Sequence, residues 1–181
     1  MKKHFYFFRH GQRNGVDEES TLNDVGLAQA KKLADYLADK NIEIVYSSPL
    51  KRATDTAKIA INNKHIKIIT DTRLIETTFG FWYAKDAPSQ KRINENFNRI
   101  KSCLVDILTN EHCSHIAISS HGGVTRALCW ACGQEIGEIK HCECFHFTLD
   151  NGNWKFIERF DTKIEGPNEY LEACKLQQIH D

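Results

Sequence analysis

The chain has 181 residues, 41% hydrophobic and 27% charged, which is enough for a single globular domain with its own core over residues 1–181. Its 24 basic and 24 acidic side chains cancel, so no global field is directed at nucleic acid or an anionic membrane, and any anion site must be local. Seven cysteines without framework spacing point to thiols in a reducing compartment. The N-terminal apolar run stops at Arg9, short of a signal-peptide core, and no stretch approaches a membrane span. A soluble, cytoplasmic protein is expected.

Residues 4–8 are a strand candidate. In "LNDVGLAQAKKLADYLADKN", Val25, Leu27, Ala28, Leu33, Leu37 and Ala38 fall near helical spacing, with Asn23 placed as the cap. Ile42 to Tyr46 are strand-like, and Ser48 before Pro49 is a cap and first-turn pair, so a helix is expected to start at the proline. "HIKIIT" is a third strand, and "INENFNRIKSCLVDILTN" a long helix with Phe97, Ile100, Leu104, Ile107 and Leu108 on one stripe. "HIAISS" is a fourth strand and "VTRALCWACG" opens another helix. "CECFHFTLDNGNWKFIERF" reads as two strands joined at Asp150-Asn151-Gly152, and "NEYLEACKLQQI" as a last helix. Strands alternating with helices predict an α/β sandwich on a mostly parallel sheet, whose ligands gather at the carboxyl ends of the strands.

Two strands end in one grammar, "FYFFRHG" and "IAISSHGG". In one parallel sheet, His10 and His121 would emerge at the same edge. Arg9 and His10 would point to opposite faces of a regular strand, so both serve one site only if the strand breaks, which Gly11 permits. Arg52 in "SSPLKRATDT" lies in the first turn of a helix after a strand, where free N–H groups and the helix dipole favour an anion. Two guanidiniums and two imidazoles converging in this way make a phosphate trap. Arginine forks match phosphoryl oxygens, and phosphoryl transfer relies on positioning and electrostatics. A neutral imidazole is an apt nucleophile, and cations nearby keep it neutral. The departing oxygen needs a proton from a carboxylic acid kept protonated by its surroundings, and Glu76, after the third strand amid apolar residues, is the candidate.

Five blocks in order, "FFRHGQ", "LNDVGLAQA", "VYSSPLKRATDTA", "RLIETTFGFW" and "SHGGVTRAL", give the chain a pattern that resembles the histidine phosphatase superfamily, the phosphoglycerate-mutase-like proteins. The resemblance implies a three-layer α/β/α sandwich and a phosphohistidine on His10. It also implies Glu76 as proton donor and acceptor, and phosphate contacts from Arg9, Arg52 and His121, with Gly11 and Gly122 beside them. No metal or other cofactor is implied. Gln12 fits the pattern, whereas Arg13 stands in place of a small hydroxyl residue and Val16 in place of an Asn. Gln12, Arg13 and Asn14 are therefore candidate substrate contacts, with Asn14 a substitute for the missing Asn through a shifted loop. Only about 40 residues separate Glu76 from His121, too few for the lid insertion of the family's mutases. A phosphatase acting on a small phosphorylated metabolite or a phosphoprotein is thus favoured over a mutase, with a phosphate-binding module without catalysis as the other alternative.

Two cysteine-rich stretches invite rival readings. In "CWAC", Cys129 lies about two turns into its helix rather than at the N-terminus where a thiolate is favoured, so buried thiols are expected. In "HCECFHF", alternation would place Cys142, Cys144 and His146 on one face. That spacing differs from the turn-borne pairs of structural zinc sites, and no metal is expected. Phe79, Phe81, Trp82 and Tyr83 are read either as core or as a pocket rim.

Overall fold

The computed structural model describes residues 2–15, 17, 19–62, 65–76 and 90–167. Val16, the aromatic residues Phe79, Phe81, Trp82 and Tyr83, and the expected C-terminal helix lie outside them. The elements run β1 (Lys3–Arg9), α1 (Asp24–Leu37), β2 (Ile44–Ser47), α2 (Lys51–Ala60), β3 (Lys67–Thr70), a 3₁₀ turn (Thr72–Leu74), α3 (Gln90–Asn110), β4 (His115–Ser120), α4 (Gly122–Ala131), β5 (Cys144–Asp150) and β6 (Asn153–Phe160).

One six-stranded sheet has the order β3-β2-β4-β1-β5-β6. The four strands β3, β2, β4 and β1 are parallel, while β5 and β6 run antiparallel to their neighbours. Alternating residues of β1 divide the core. Phe5 and Phe7 pack with Ile100, Leu104, Ile107 and Leu128 under α3 and α4, and Tyr6 and Phe8 with Ala30, Leu33 and Ala57 under α1 and α2. A strand buried on both faces has no polar side to alternate with, which is why "FYFF" is a continuous apolar run. Each such side chain contributes roughly 1.5–3 kcal/mol by burial. The result is the three-layer α/β/α arrangement. No described helix is long and apolar enough to cross a membrane.

Local chemistry sets the element ends. Asn23 caps α1 by accepting a hydrogen bond from the Gly26 amide at 2.8 Å. The β5–β6 turn has Asn151 at φ 47° and Gly152 at φ 80°, the two left-handed residues that a tight two-residue hairpin demands. Helix α2 starts two residues later than its proline suggests. Ser48 is still tied to the sheet through its amide and the Ser119 carbonyl (3.0 Å), and Leu50 remains extended at ψ 135°. The Ser48 hydroxyl serves the site described next.

Candidate active site

Parallel pairing of β1 with β4 sets Arg9 opposite Ser120, and the His10 amide donates to the Ser120 carbonyl at 2.9 Å. His10 and His121 therefore leave the sheet side by side, with ring centroids 5.1 Å apart in an edge-to-face arrangement. Both are buried, as is Arg52, whose first-turn position on α2 brings its Nε to donate to His10 Nε2 at 3.3 Å. His10 Nδ1 lies 2.7 Å from the Gly11 carbonyl. A carbonyl only accepts, so Nδ1 carries the proton and Nε2 carries the lone pair that accepts from Arg52.

His121 caps α4, and its Nε2 meets the Ser48 hydroxyl at 2.8 Å. Arg9 departs on the other face of β1, as alternation requires, and still reaches the pocket because α4 begins beneath it. A Cβ at Gly122 would stand 3.7 Å from Arg9 Cδ and Nε. Arg9 Nη1 donates to the Ile139 carbonyl at 2.8 Å, whereas its buried Nε and His121 Nδ1 have no hydrogen-bond partner among the described residues. Guanidinium and helix N-terminus together favour an anion between them.

Burial first, then His121, Arg9 and His141, hold His10 well below the ordinary histidine range. His121 is likewise lowered, by burial and then by Arg52, Arg9, Arg13 and Arg99. Cations crowd two neutral imidazoles, an arrangement that suits a dianionic ligand.

Depressed histidines also predict acid sensitivity. The unfolded chain takes up protons near its ordinary value of about 6.5, whereas buried His10 and His121 resist them and His146 is lowered to about 4. Stability is therefore fully present above the unfolded value and is lost as pH falls toward the folded ones, by up to about 1.4 kcal/mol per pH unit for each such histidine. The urea midpoint should fall steadily from pH 7 to pH 5. An unchanged midpoint over that range contradicts burial of the neutral forms.

Gly11 acts differently from expectation. Strand β1 ends at Arg9 without a left-handed residue at Gly11. What Gly11 supplies is room, since a Cβ there would lie 2.6 Å from the Gly26 carbonyl oxygen. Its amide donates to Thr56 Oγ1 at 3.0 Å. Of the loop residues, Gln12 is buried and donates from its side chain to the Pro167 carbonyl. Arg13 donates to the Asp17 carbonyl at 3.0 Å while its charge acts on His121. Asn14 is exposed, its amide bonded to the Thr21 carbonyl at 2.9 Å.

Glu76 is exposed, and Arg99 is a charged neighbour that it interacts with. The apolar residues that follow it in sequence lie outside the described residues. Arg99 in turn donates to the carbonyls of Arg73 at 2.8 Å and Ile75 at 3.0 Å, which ties α3 to the segment leading into Glu76.

Sequence reasoning missed His141, whose ring centroid is 5.7 Å from that of His10, together with Ser48, Thr56 and Arg99. The placement of His141 follows from long-range pairing rather than from local pattern. A strand antiparallel to β1 begins at the edge where β1 ends, so the residues just before "CFHFTLD" belong beside His10.

The cysteines of "CWAC" are buried in or just after α4, and burial pushes both thiols up. Cys142 sits at φ 53° outside β5, and His146 stacks on Tyr6 at 4.4 Å while meeting His4 at 3.0 Å between ring nitrogens. Among the described residues, no three His, Cys, Asp or Glu side chains are grouped to hold a metal ion.

Residues 5–98 match the family model of the histidine phosphatase superfamily, branch 1. The chain is 26% identical over 160 residues to phosphoserine phosphatase 1 of Hydrogenobacter thermophilus, covering 75% of this chain and 74% of the relative. Among solved structures, it superposes on the alpha-ribazole phosphatase from Shigella flexneri with a TM-score of 0.74 at 15% identity, covering 91% of this chain and 100% of that one. A mycobacterial glucosyl-3-phosphoglycerate phosphatase gives a TM-score of 0.69 at 20% identity, covering 86% and 97%.

Proposed function

We propose that this chain, which belongs to the histidine phosphatase superfamily (branch 1) and is an enzyme of the histidine phosphatase type, hydrolyses phosphomonoesters without a metal, through a phosphohistidine on His10. The observation that supports it most is the disposition of His10, with Nδ1 tied to the Gly11 carbonyl and Nε2 beneath Arg52. In the reaction, Nε2 attacks phosphorus while Arg9, Arg52 and His121 hold the three equatorial oxygens, whose charge is greatest in the transition state. Displacement of the ester oxygen leaves a phosphohistidine, and attack by water releases inorganic phosphate. The described groups of the site all suit the phosphoryl end of a substrate, which is compatible with small phosphorylated metabolites or a phosphoprotein side chain, in the cytoplasm. Return of the phosphoryl group to substrate, as in a mutase, is not favoured, because a relative matched over about three quarters of its own length is by name a phosphatase.

Acid-labile, alkali-stable phosphoenzyme should be trapped by rapid quench during turnover of p-nitrophenyl phosphate, with activity unchanged by a chelator. With 3-phosphoglycerate and a bisphosphoglycerate primer, free phosphate is expected. Isomer without phosphate would assign a mutase, and tight phosphate binding without phosphoenzyme would assign a binding module.

A further inference from the structure

Ser48 and His121 meet where two parallel strands end, just beyond the Ser47–Ser119 pair of β2 and β4. Both are fully buried, and Ser48 Oγ lies 2.8 Å from His121 Nε2. The backbone around the hydroxyl fixes it. Ser48 donates its amide to the Ser119 carbonyl at 3.0 Å, its carbonyl accepts from Ser47 Oγ at 2.9 Å, and its own Oγ accepts from the Leu50 amide at 3.3 Å. The delayed start of α2 thus leaves Ser48 in a local turn against His121 rather than in the helix.

A hydroxyl has one proton and two lone pairs. With one lone pair taken by Leu50, the bond to His121 can run in two directions: the hydroxyl donates to a bare Nε2, or a protonated Nε2 donates to the second lone pair. In the second case the hydroxyl proton is buried with no acceptor among the described residues, because His121 and Leu50 are the partners of Ser48 Oγ. An unmet buried donor costs about 1–3 kcal/mol. The first case satisfies the hydroxyl completely. Burial and the surrounding guanidiniums keep the His121 ring neutral, so it holds a single proton, and a bare Nε2 puts that proton on Nδ1.

Nδ1, the ring nitrogen nearer the backbone, belongs beside the α4 N-terminus that His121 caps. It is buried with no hydrogen-bond partner among the described residues, as is Arg9 Nε. An N–H at that position meets an anionic oxygen with a charge-assisted bond, whereas a lone pair there repels it. Resting on the phosphatase reading above, we propose that Ser48 is a positioning residue whose hydroxyl holds His121 in the Nδ1-protonated tautomer and so makes it a neutral hydrogen-bond donor to the phosphoryl group. The two histidines then share one tautomer and use it from opposite ends. His10 spends its Nδ1 proton on the Gly11 carbonyl and keeps its lone pair at Nε2 for attack. His121 spends its Nε2 lone pair on Ser48 and keeps its Nδ1 proton for the substrate. Two local acceptor and donor choices, a carbonyl for one ring and a hydroxyl for the other, separate the nucleophile from the binding group.

The tautomer is read from the ring nitrogens of ¹⁵N-labelled protein by long-range proton–nitrogen correlation at neutral pH, with the His121 signals assigned by their loss in His121→Gln. In the wild type, His121 should show a protonated Nδ1 and a bare Nε2. Ser48→Ala should bring in the Nε2-protonated ring and raise the Kd for inorganic phosphate by at least about tenfold, the size of one hydrogen bond to a charged group. A hydroxyl that only supports the fold would lower the urea midpoint and leave the tautomer alone. A wild-type ring protonated at Nε2, or a Ser48→Ala protein that keeps the wild-type tautomer, would overturn the assignment, and the wild-type spectrum decides it even where the variant does not fold. Neither measurement needs turnover. Wild-type protein that shows the expected tautomer and binds phosphate, yet traps no phosphoenzyme, would defeat the phosphatase reading and leave the role of Ser48 standing, so the two failures are distinguishable.

Discussion

His10→Ala is expected to reduce turnover of p-nitrophenyl phosphate by at least about 10⁴-fold, to the background reaction, and to abolish the trapped phosphoenzyme. That factor corresponds to about 5.5 kcal/mol of transition-state stabilisation. The loss is so large because the attacking atom itself is removed: the neighbouring imidazoles of His121 and His141 stand 5.1 and 5.7 Å from that of His10 between ring centroids, and the two guanidiniums are not nucleophiles. The folded state should tolerate the change. His10 is buried in its neutral form, so truncation removes no charge, while the Gly11 carbonyl loses its donor and Arg52 Nε an acceptor, a cost of about 1–3 kcal/mol each. Inorganic phosphate should still bind, since Arg9, Arg52 and His121 remain in place. A variant that retains turnover within tenfold of wild type would remove the covalent mechanism, whereas one that also fails to bind phosphate would indicate collapse of the pocket rather than loss of the nucleophile.

Much of this site was legible before the fold was known because its chemistry is carried by residues adjacent to strong secondary-structure signals. "FYFF" and "IAIS" are apolar enough to be interior strands, and a His after each must then appear at one edge. The registers of β1 and β4 made that placement tight. Arg52 was legible for the same reason, being in the first turn of a helix that follows β2. His141 was not, because it follows no parallel strand. Its neighbourhood depends on β5 pairing antiparallel with β1, a long-range fact that local pattern does not contain. The start of α2 was misplaced because Ser48 looks like a helix cap in isolation, whereas its hydroxyl is drawn to His121. For Gly11 the reading found the residue but not the reason. Conformational freedom is visible in a sequence, while the 2.6 Å approach of another backbone is not. Gln12 likewise looked like a pocket residue by position, yet its partner is the carbonyl of Pro167, more than 150 positions later.

Gly26→Ala tests whether the contact between α1 and the His10 loop matters as much as the catalytic side chains. On helix propensity alone the substitution should stabilise α1 by about 1 kcal/mol. Sterics oppose it, since the new Cβ would lie 1.9 Å from the Gln12 carbonyl oxygen and 2.8 Å from its amide nitrogen. Both are backbone atoms, and no rotamer can relieve the clash. Helix and loop must separate, which strains the Gln12 amide to Gln29 Oε1 bond (2.8 Å) and the Asn23 amide to Gln12 carbonyl bond (3.1 Å) that join them. Overpacking of this kind costs about 1–3 kcal/mol and occasionally more. With the loop displaced, His10 moves relative to Arg52, and a shift of about 1 Å at a reacting group costs about 100-fold in rate. Net destabilisation of at least about 1 kcal/mol, read from the urea midpoint, and a 100-fold fall in kcat/KM are expected together. Gly137→Ala is the matched control, because its Cβ would meet nothing within 4 Å, and it should change stability by less than about 0.5 kcal/mol. A Gly26→Ala variant as stable and as active as wild type would mean that helix and loop yield without cost, and that the position of His10 is set by the β1–β4 register alone.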